Sequence, residues 1–164
     1  GERVTPLETR SRCPLETSVS ITAIMEDSSG RLWAGNDAGL AVLESDGSWR
    51  LLNDCPGFTS HHIFNIGEDW NGRVWINTIR GAFRFSADYQ VEEFNPDDGL
   101  ADWETNANGF HSDTRGDIWI GTVNGLSQYR PASRSVNSSR PVWPTVRFTS
   151  PSPAAKPSSV AVSL

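Results

Sequence analysis

Short apolar runs separated by turn residues recur along this chain in a fixed order. An alternating run, "ITAIME" from Ile21, leads into an Asp-x-x-Gly turn at Asp27 to Gly30. A run carrying Trp33, "RLWAG", follows, and a second turn delivers Gly39 to "GLAVLE". The succession returns as "IFNIGE" from Ile63, a turn at Asp69 to Gly72, "RVWIN" and "GAFRFS" from Gly81. It returns again as "ANGFHS" from Ala107, a turn at Asp113 to Gly116, "DIWIG" and "GLSQYR" from Gly125. A fourth run closes the first two units, "SWRLLN" and "YQVEEF", whereas "SRSVNS" in the third is a poor strand candidate. The Asp recurs after 42 and then 44 residues.

Strands of roughly four to six residues bounded by turn signals predict an all-β protein. Four antiparallel strands in a unit of about 40–45 residues define the β-propeller blade. The expected architecture is therefore three four-stranded antiparallel blades, a partial propeller. Helical solenoids of similar period need longer segments with a 3.6-residue period, and the Gly-studded units leave no room for them. One large aromatic at the same place in every unit suits sheet-on-sheet packing, so Trp33, Trp75 and Trp119 are predicted in the core rather than as a stacking ladder for a ligand. The repeated Asp is predicted to satisfy the backbone of its own turn.

Composition narrows the function classes. With 37% hydrophobic and 21% charged residues, most of the chain is predicted to be globular. A net charge of −6 and the absence of a basic cluster interleaved with aromatics argue against a nucleic-acid partner. No apolar run approaches the roughly 18 residues of a membrane span, and no signal-peptide pattern opens the chain. Beginning at Gly1 without Met, the chain reads as a piece of a longer protein. Cys13 and Cys55 lie one repeat apart. Equivalent positions on stacked sheets are about 10 Å apart, too far for a disulfide that needs Cα atoms within about 7 Å.

The unit resembles the two-component regulator propeller repeat, approximately I-x-x-I-x-E-D-x-x-G-x-L-W-I-G-T-x-x-G-L. The first copy supplies Ile21, Ile24, Glu26, Asp27, Gly30, Leu32, Trp33, Gly35, Gly39 and Leu40. The second keeps Ile63, Ile66, Glu68, Asp69, Gly72, Trp75, Ile76, Thr78 and Gly81, with Asn77 for Gly and Ala82 for Leu. The third keeps Asp113, Gly116, Trp119, Ile120, Gly121, Thr122, Gly125 and Leu126, but has Asn108 and His111 where apolar residues are usual. "NPDDGL" at Asn95 to Leu100 resembles the Asp-Gly-Leu that precedes such units. The resemblance implies the extracytoplasmic, periplasmic sensor region of a bacterial membrane receptor, a hybrid histidine kinase or diguanylate cyclase acting by phosphorelay or cyclase output. It also implies a β-sandwich, a membrane helix and an output domain downstream.

On this reading residues 1–20 end a preceding blade or linker, 21–54, 55–98 and 99–139 form blades, 140–150 resemble the first strand of the sandwich, and the Pro/Ser-rich 151–164 form a disordered tail. Three blades fall short of the four to eight of a closed ring. Missing blades and the following receptor domains are therefore the expected protein partners, and without them two sheet faces stand exposed.

Strand order places the turn before each third strand and the link to the next blade on one rim, where irregular loops carry binding. That rim is expected to gather His61, His62, Trp103, Asn106 and Asn108 with Arg80, a set suited to a polar ligand such as an oligosaccharide. No catalytic residue, cofactor or metal is assigned. No His-Glu-x-x-His or Cys-x-x-Cys spacing occurs, and Asp97, Asp98, Asp102 and Glu104 lack the alternating pattern of a Ca²⁺ loop. No nucleophile elbow, phosphate loop or dinucleotide fingerprint is present. The alternatives are a propeller-scaffold lyase or hydrolase with His61 or His62 as base, and a protein-interaction scaffold.

Overall fold

The computed structural model describes residues 2, 13–15 and 20–131. Sheet 1 is the meander β1 (Ala23–Glu26), β2 (Leu32–Asn36), β3 (Gly39–Leu43) and β4 (Trp49–Leu51). Sheet 2 repeats it with β5 (Ile63–Glu68), β6 (Val74–Thr78), β7 (Gly81–Phe85) and β8 (Val91–Phe94). Sheet 3 comprises β9 (Thr105–Ser112), β10 (Ile118–Thr122) and β11 (Gly125–Tyr129). All pairings are antiparallel. These are propeller blades, as the repeat predicts. The expected fourth strand of the third unit, the sandwich strand and the tail lie outside the described residues.

The register explains why the central strands read as continuous apolar runs. Along β6 and β7 every residue is buried, because sheet 2 is covered on both faces. One face presents Ile66, Ile76 and Phe83 to sheet 1, where Trp33, Leu40 and Val42 meet them. The other presents Trp75 and Ala82 to Ile118, Ile120 and Tyr129 of sheet 3. The two junctions are built alike: Trp33 packs edge-on against Phe85, and Trp75 packs against Tyr129, the residue equivalent to Phe85. Glycine is required where the first strand of one sheet packs against the sheet beside it. A Cβ on Gly67 would lie 2.1 Å from the Phe110 ring, and one on Gly35 would lie 2.6 Å from Ile63 Cγ2.

The repeated Asp does more than close its turn. Asp27 Oδ1 accepts from the amides of Ser29 and Arg31, while Oδ2 accepts from Arg31 Nε and from the buried indole Nε1 of Trp33 at 2.7 Å. Asp69 holds Asn71, Arg73 and Trp75 in the same way. In the third unit Asp113 keeps the Trp119 bond at 3.2 Å, but its ion-pair partner is Arg115, because Asp117 stands where Arg31 and Arg73 stand in the other units. Burial opposes charge on Asp27, yet the bonds from Trp33 and from the Arg31 amide and guanidinium outweigh it and hold the carboxyl below its ordinary value of 3.8. Each Asp thus ties its turn to the Trp of its own unit, and Trp33 and Trp75 fill the junctions with the next sheet.

Three details depart from the sequence reading. β1 begins at Ala23 rather than Ile21, and Ile21 and Ile24 are exposed, because no described sheet precedes sheet 1. Trp119 is only half-buried, because no described sheet follows sheet 3. β9 begins at Thr105, earlier than the expected Ala107, with an irregularity that puts Asn108 at φ 60°.

Candidate functional site

The rim is organised by the turns between the second and third strands, at residues 37–38, 79–80 and 123–124, and by the links 52–62 and 95–104. In sheet 2 the Thr78 hydroxyl donates to Gly81 O at 2.9 Å and accepts from the Arg80 amide at 3.0 Å, which fixes the turn that carries Arg80. Gly81 has φ 91°, and a Cβ there would lie 2.6 Å from Phe94 O, so only glycine fits. Its amide donates to Trp103 O, which draws the link against the turn. On the other side the Val123 amide donates to Glu104 O and Asn124 Nδ2 to Asp102 Oδ2 at 2.7 Å. Residues 102–104 are therefore gripped between the turns of two sheets.

This grip presents the Trp103 ring, 41% exposed, with the Arg80 guanidinium 5.9 Å from its centroid. Ile79 and Val123, also exposed, extend the apolar surface on the flanking turns. Sequence reasoning named Arg80 and Trp103 but missed Ile79, Val123 and the Asp102–Asn124 bond. The signal that could have found them is the two-residue turn preceding each third-strand Gly.

The other predicted residues fall into different settings. His62 Nε2 pairs with Asp37 at 3.0 Å, its ring lies 4.9 Å from that of Phe64, and its carbonyl accepts from the Ile79 amide, placing it beside the Arg80 turn. His61 Nε2 is bonded to Asn53 O and its ring stacks obliquely on Phe58 at 5.3 Å, tying it to the sheet 1–sheet 2 junction. Asn106 donates to Thr122 O within sheet 3, and Asn108 sits exposed at the irregularity in β9. The structure thus joins Arg80 to Trp103, sets His62 alongside, and puts Asn106 and Asn108 on the strand that follows the link.

The acidic residues of the link are dispersed: Asp98 accepts from the Asn95 amide and Asp102 from Asn124. Among the described residues no three His, Cys, Asp or Glu side chains converge on a metal position. A cavity of about 570 Å³, lined by Arg73, Arg84, Asp88 and Glu92 among others, lies on the opposite rim. Its counterpart between sheets 1 and 2 is filled by Tyr89, whose hydroxyl donates to Glu44 and accepts from Arg31. Burial and the Glu44 bond push that phenol up to about 12. The cavity is thus a socket of the stacking geometry, away from the Trp103 rim.

Residues 15–38 match the family model of the two component regulator propeller. Over 66% of its length the chain is similar to the extracellular domain of a hybrid two component system from B. thetaiotaomicron, at 30% identity and a TM-score of 0.59. A second extracellular domain from that organism, assigned to a one component system, is similar over 72% of the chain at 21% identity and a TM-score of 0.56. The chain spans only 15% and 16% of those two proteins. Virginiamycin B lyase from Staphylococcus aureus shares the fold over 69% of this chain and 38% of its own, at 18% identity and a TM-score of 0.50. No curated protein matches the chain in sequence. No helix among the described residues is long and apolar enough to cross a membrane.

Proposed function

We propose that this segment, built on the two component regulator propeller repeat, is a non-catalytic, ligand-sensing part of the periplasmic region of a membrane-bound receptor. The observation that carries the reading is the Trp103 platform, an exposed indole held by backbone bonds to two sheets with a guanidinium over it. Such a surface is organised before a ligand arrives, so stacking on the ring and hydrogen bonds from Arg80 cost little ordering. A polar ligand with apolar faces, such as an oligosaccharide, suits it. The receptor's further blades and the sandwich and output domains of this receptor class complete the assembly. Signal arises if the ligand binds one receptor arrangement more tightly than another.

The test is titration calorimetry of the whole chain against a panel of neutral and acidic oligosaccharides. Trp103→Ala and Arg80→Ala are expected to abolish the binding heat while leaving the melting temperature unchanged, whereas Trp75→Ala unfolds the protein. Binding that survives both rim substitutions, or no saccharide bound at all, overturns the reading. The Asp37–His62 pair favours one other reading, a lyase or hydrolase with His62 as base oriented by a carboxylate. Turnover lost in His62→Ala would support that one instead.

A further inference from the structure

We infer that Arg80 reads charge at the Trp103 rim: the ligand is an acidic saccharide, its ring on the indole and its carboxylate on the Arg80 guanidinium. This deepens the ligand-sensing reading and rests on it.

The fold accounts for every described arginine except this one. Arg31, Arg50, Arg73, Arg84, Arg115 and Arg130 each pair with a carboxylate of the chain. Arg80 pairs with none among the described residues, and no N–H of its guanidinium has an acceptor there. Acids stand on the same rim, yet Asp37 is bonded to His62, Asp102 to Asn124, and the exposed Glu104 does not pair with it. Nor does the turn need an arginine. The Thr122 hydroxyl closes the same turn onto Gly125 with Asn124 in that place, and in sheet 1 Asn36 Oδ1 closes the counterpart by accepting from the Ala38 amide.

What is left is a cation presented to something outside the chain. Arg80 is exposed, the Thr78 hydroxyl fixes its turn, and its guanidinium lies 5.9 Å from the centre of the Trp103 ring. An indole face attracts a cation without consuming its N–H donors. The planar fork therefore stays free for a bidentate carboxylate. One positive charge among Asp37, Asp102 and Glu104 suits a ligand group bearing one negative charge, whereas a phosphate dianion calls for further cations or a nest of backbone amides. In a uronic acid the carboxylate is carried by the sugar ring itself. The face that stacks on Trp103 and the charge that meets Arg80 then belong to one sugar unit.

Titration calorimetry of the whole chain separates charge from shape when each acid is matched with its neutral methyl ester. The probes are oligomers of galacturonate, glucuronate and mannuronate, their esters, and uncharged oligosaccharides. At least one acid is expected to bind about tenfold or more tightly than its ester, the increment of a charge-assisted hydrogen bond. Its affinity falls as salt rises from about 0.05 to about 0.5 M, while that of the ester holds. Arg80→Gln keeps a donor without the charge and is expected to bring that acid down to the affinity of its ester. Arg80→Lys keeps the charge without the fork and retains only part of the preference. Trp103→Ala weakens acid and ester alike. Both positions are exposed, and circular dichroism verifies that the variants fold. Acid and ester bound equally, an acid preference that survives Arg80→Gln, or binding of neutral saccharides alone overturns this proposal and leaves the ligand reading standing. A panel in which nothing binds overturns both.

Discussion

Asp27→Asn is nearly isosteric, yet the geometry makes it a severe change. Both carboxylate oxygens act only as acceptors: Oδ1 takes two turn amides, and Oδ2 takes the Trp33 indole and Arg31 Nε. An amide side chain offers one acceptor oxygen, so its NH₂ must face either the turn amides or the indole, donor against donor. Trp33 is fully buried, and an orphaned indole N–H there costs about 1–3 kcal/mol. The Arg31 partner is also nearly buried, its side chain 11% exposed, and losing the ion pair costs about as much again. Asp27→Ala should therefore lose about 3–5 kcal/mol and Asp27→Asn about 2–4 kcal/mol, large fractions of a stability of about 5–15 kcal/mol. Urea unfolding followed by far-UV circular dichroism at neutral pH gives both values. The decisive control is Trp33→Phe, which removes the indole N–H. In that background Asp27→Asn should cost about 1–2 kcal/mol less than in the native chain. An Asn variant within about 0.5 kcal/mol of native, a change typical of a neutral surface site, would refute the argument, as would a double-mutant cycle with no coupling.

Further outcomes follow from the same contacts. Because the folded Asp27 and Asp113 carboxyls are held below their unfolded values, their contribution is full above the ordinary value of 3.8 and is lost as pH falls through the lower folded values. Stability measured from pH 7 downward should hold to about pH 5 and then decline, with a shallower decline in Asp27→Asn. Tyr129→Phe removes the hydroxyl that accepts from Arg84 Nη1 at 2.7 Å inside the cage of Trp75, Phe94 and Tyr129, and should cost about 1–3 kcal/mol by urea unfolding. Gly35→Ala drives a Cβ into Ile63 and should cost about 1–3 kcal/mol, with the loss reduced when Ile63→Ala is added. Ser112→Ala deletes a buried hydroxyl without a partner, so its melting temperature should equal or exceed that of the native chain.

How much was legible before folding differs from feature to feature. The blades were readable because strand alternation, Asp-x-x-Gly turns and a fixed Trp are local patterns, and three copies in phase leave little freedom of register. Arg80 and Trp103 were readable as rim residues for the same reason, since strand order alone decides which loops share a side. The Asp-to-indole bond was not readable. It depends on a side chain six residues away swinging back over the turn, a matter of rotamer and sheet twist rather than of spacing. The dispersal of the histidines was equally hidden: neighbours in sequence, His61 turns to the Asn53 carbonyl and His62 to Asp37, partners brought near only by the folded chain.

By itself, then, the sequence determined the repeating unit, its strands and its turns, all set by interactions within a few residues. Tertiary structure alone decided which copies of an identical motif are buried. Ile24 and Ile66 have the same place in the same pattern, and only a neighbouring sheet makes one of them core. Burial belongs to the stack rather than the unit, because apolar surface leaves water only where a second surface meets it.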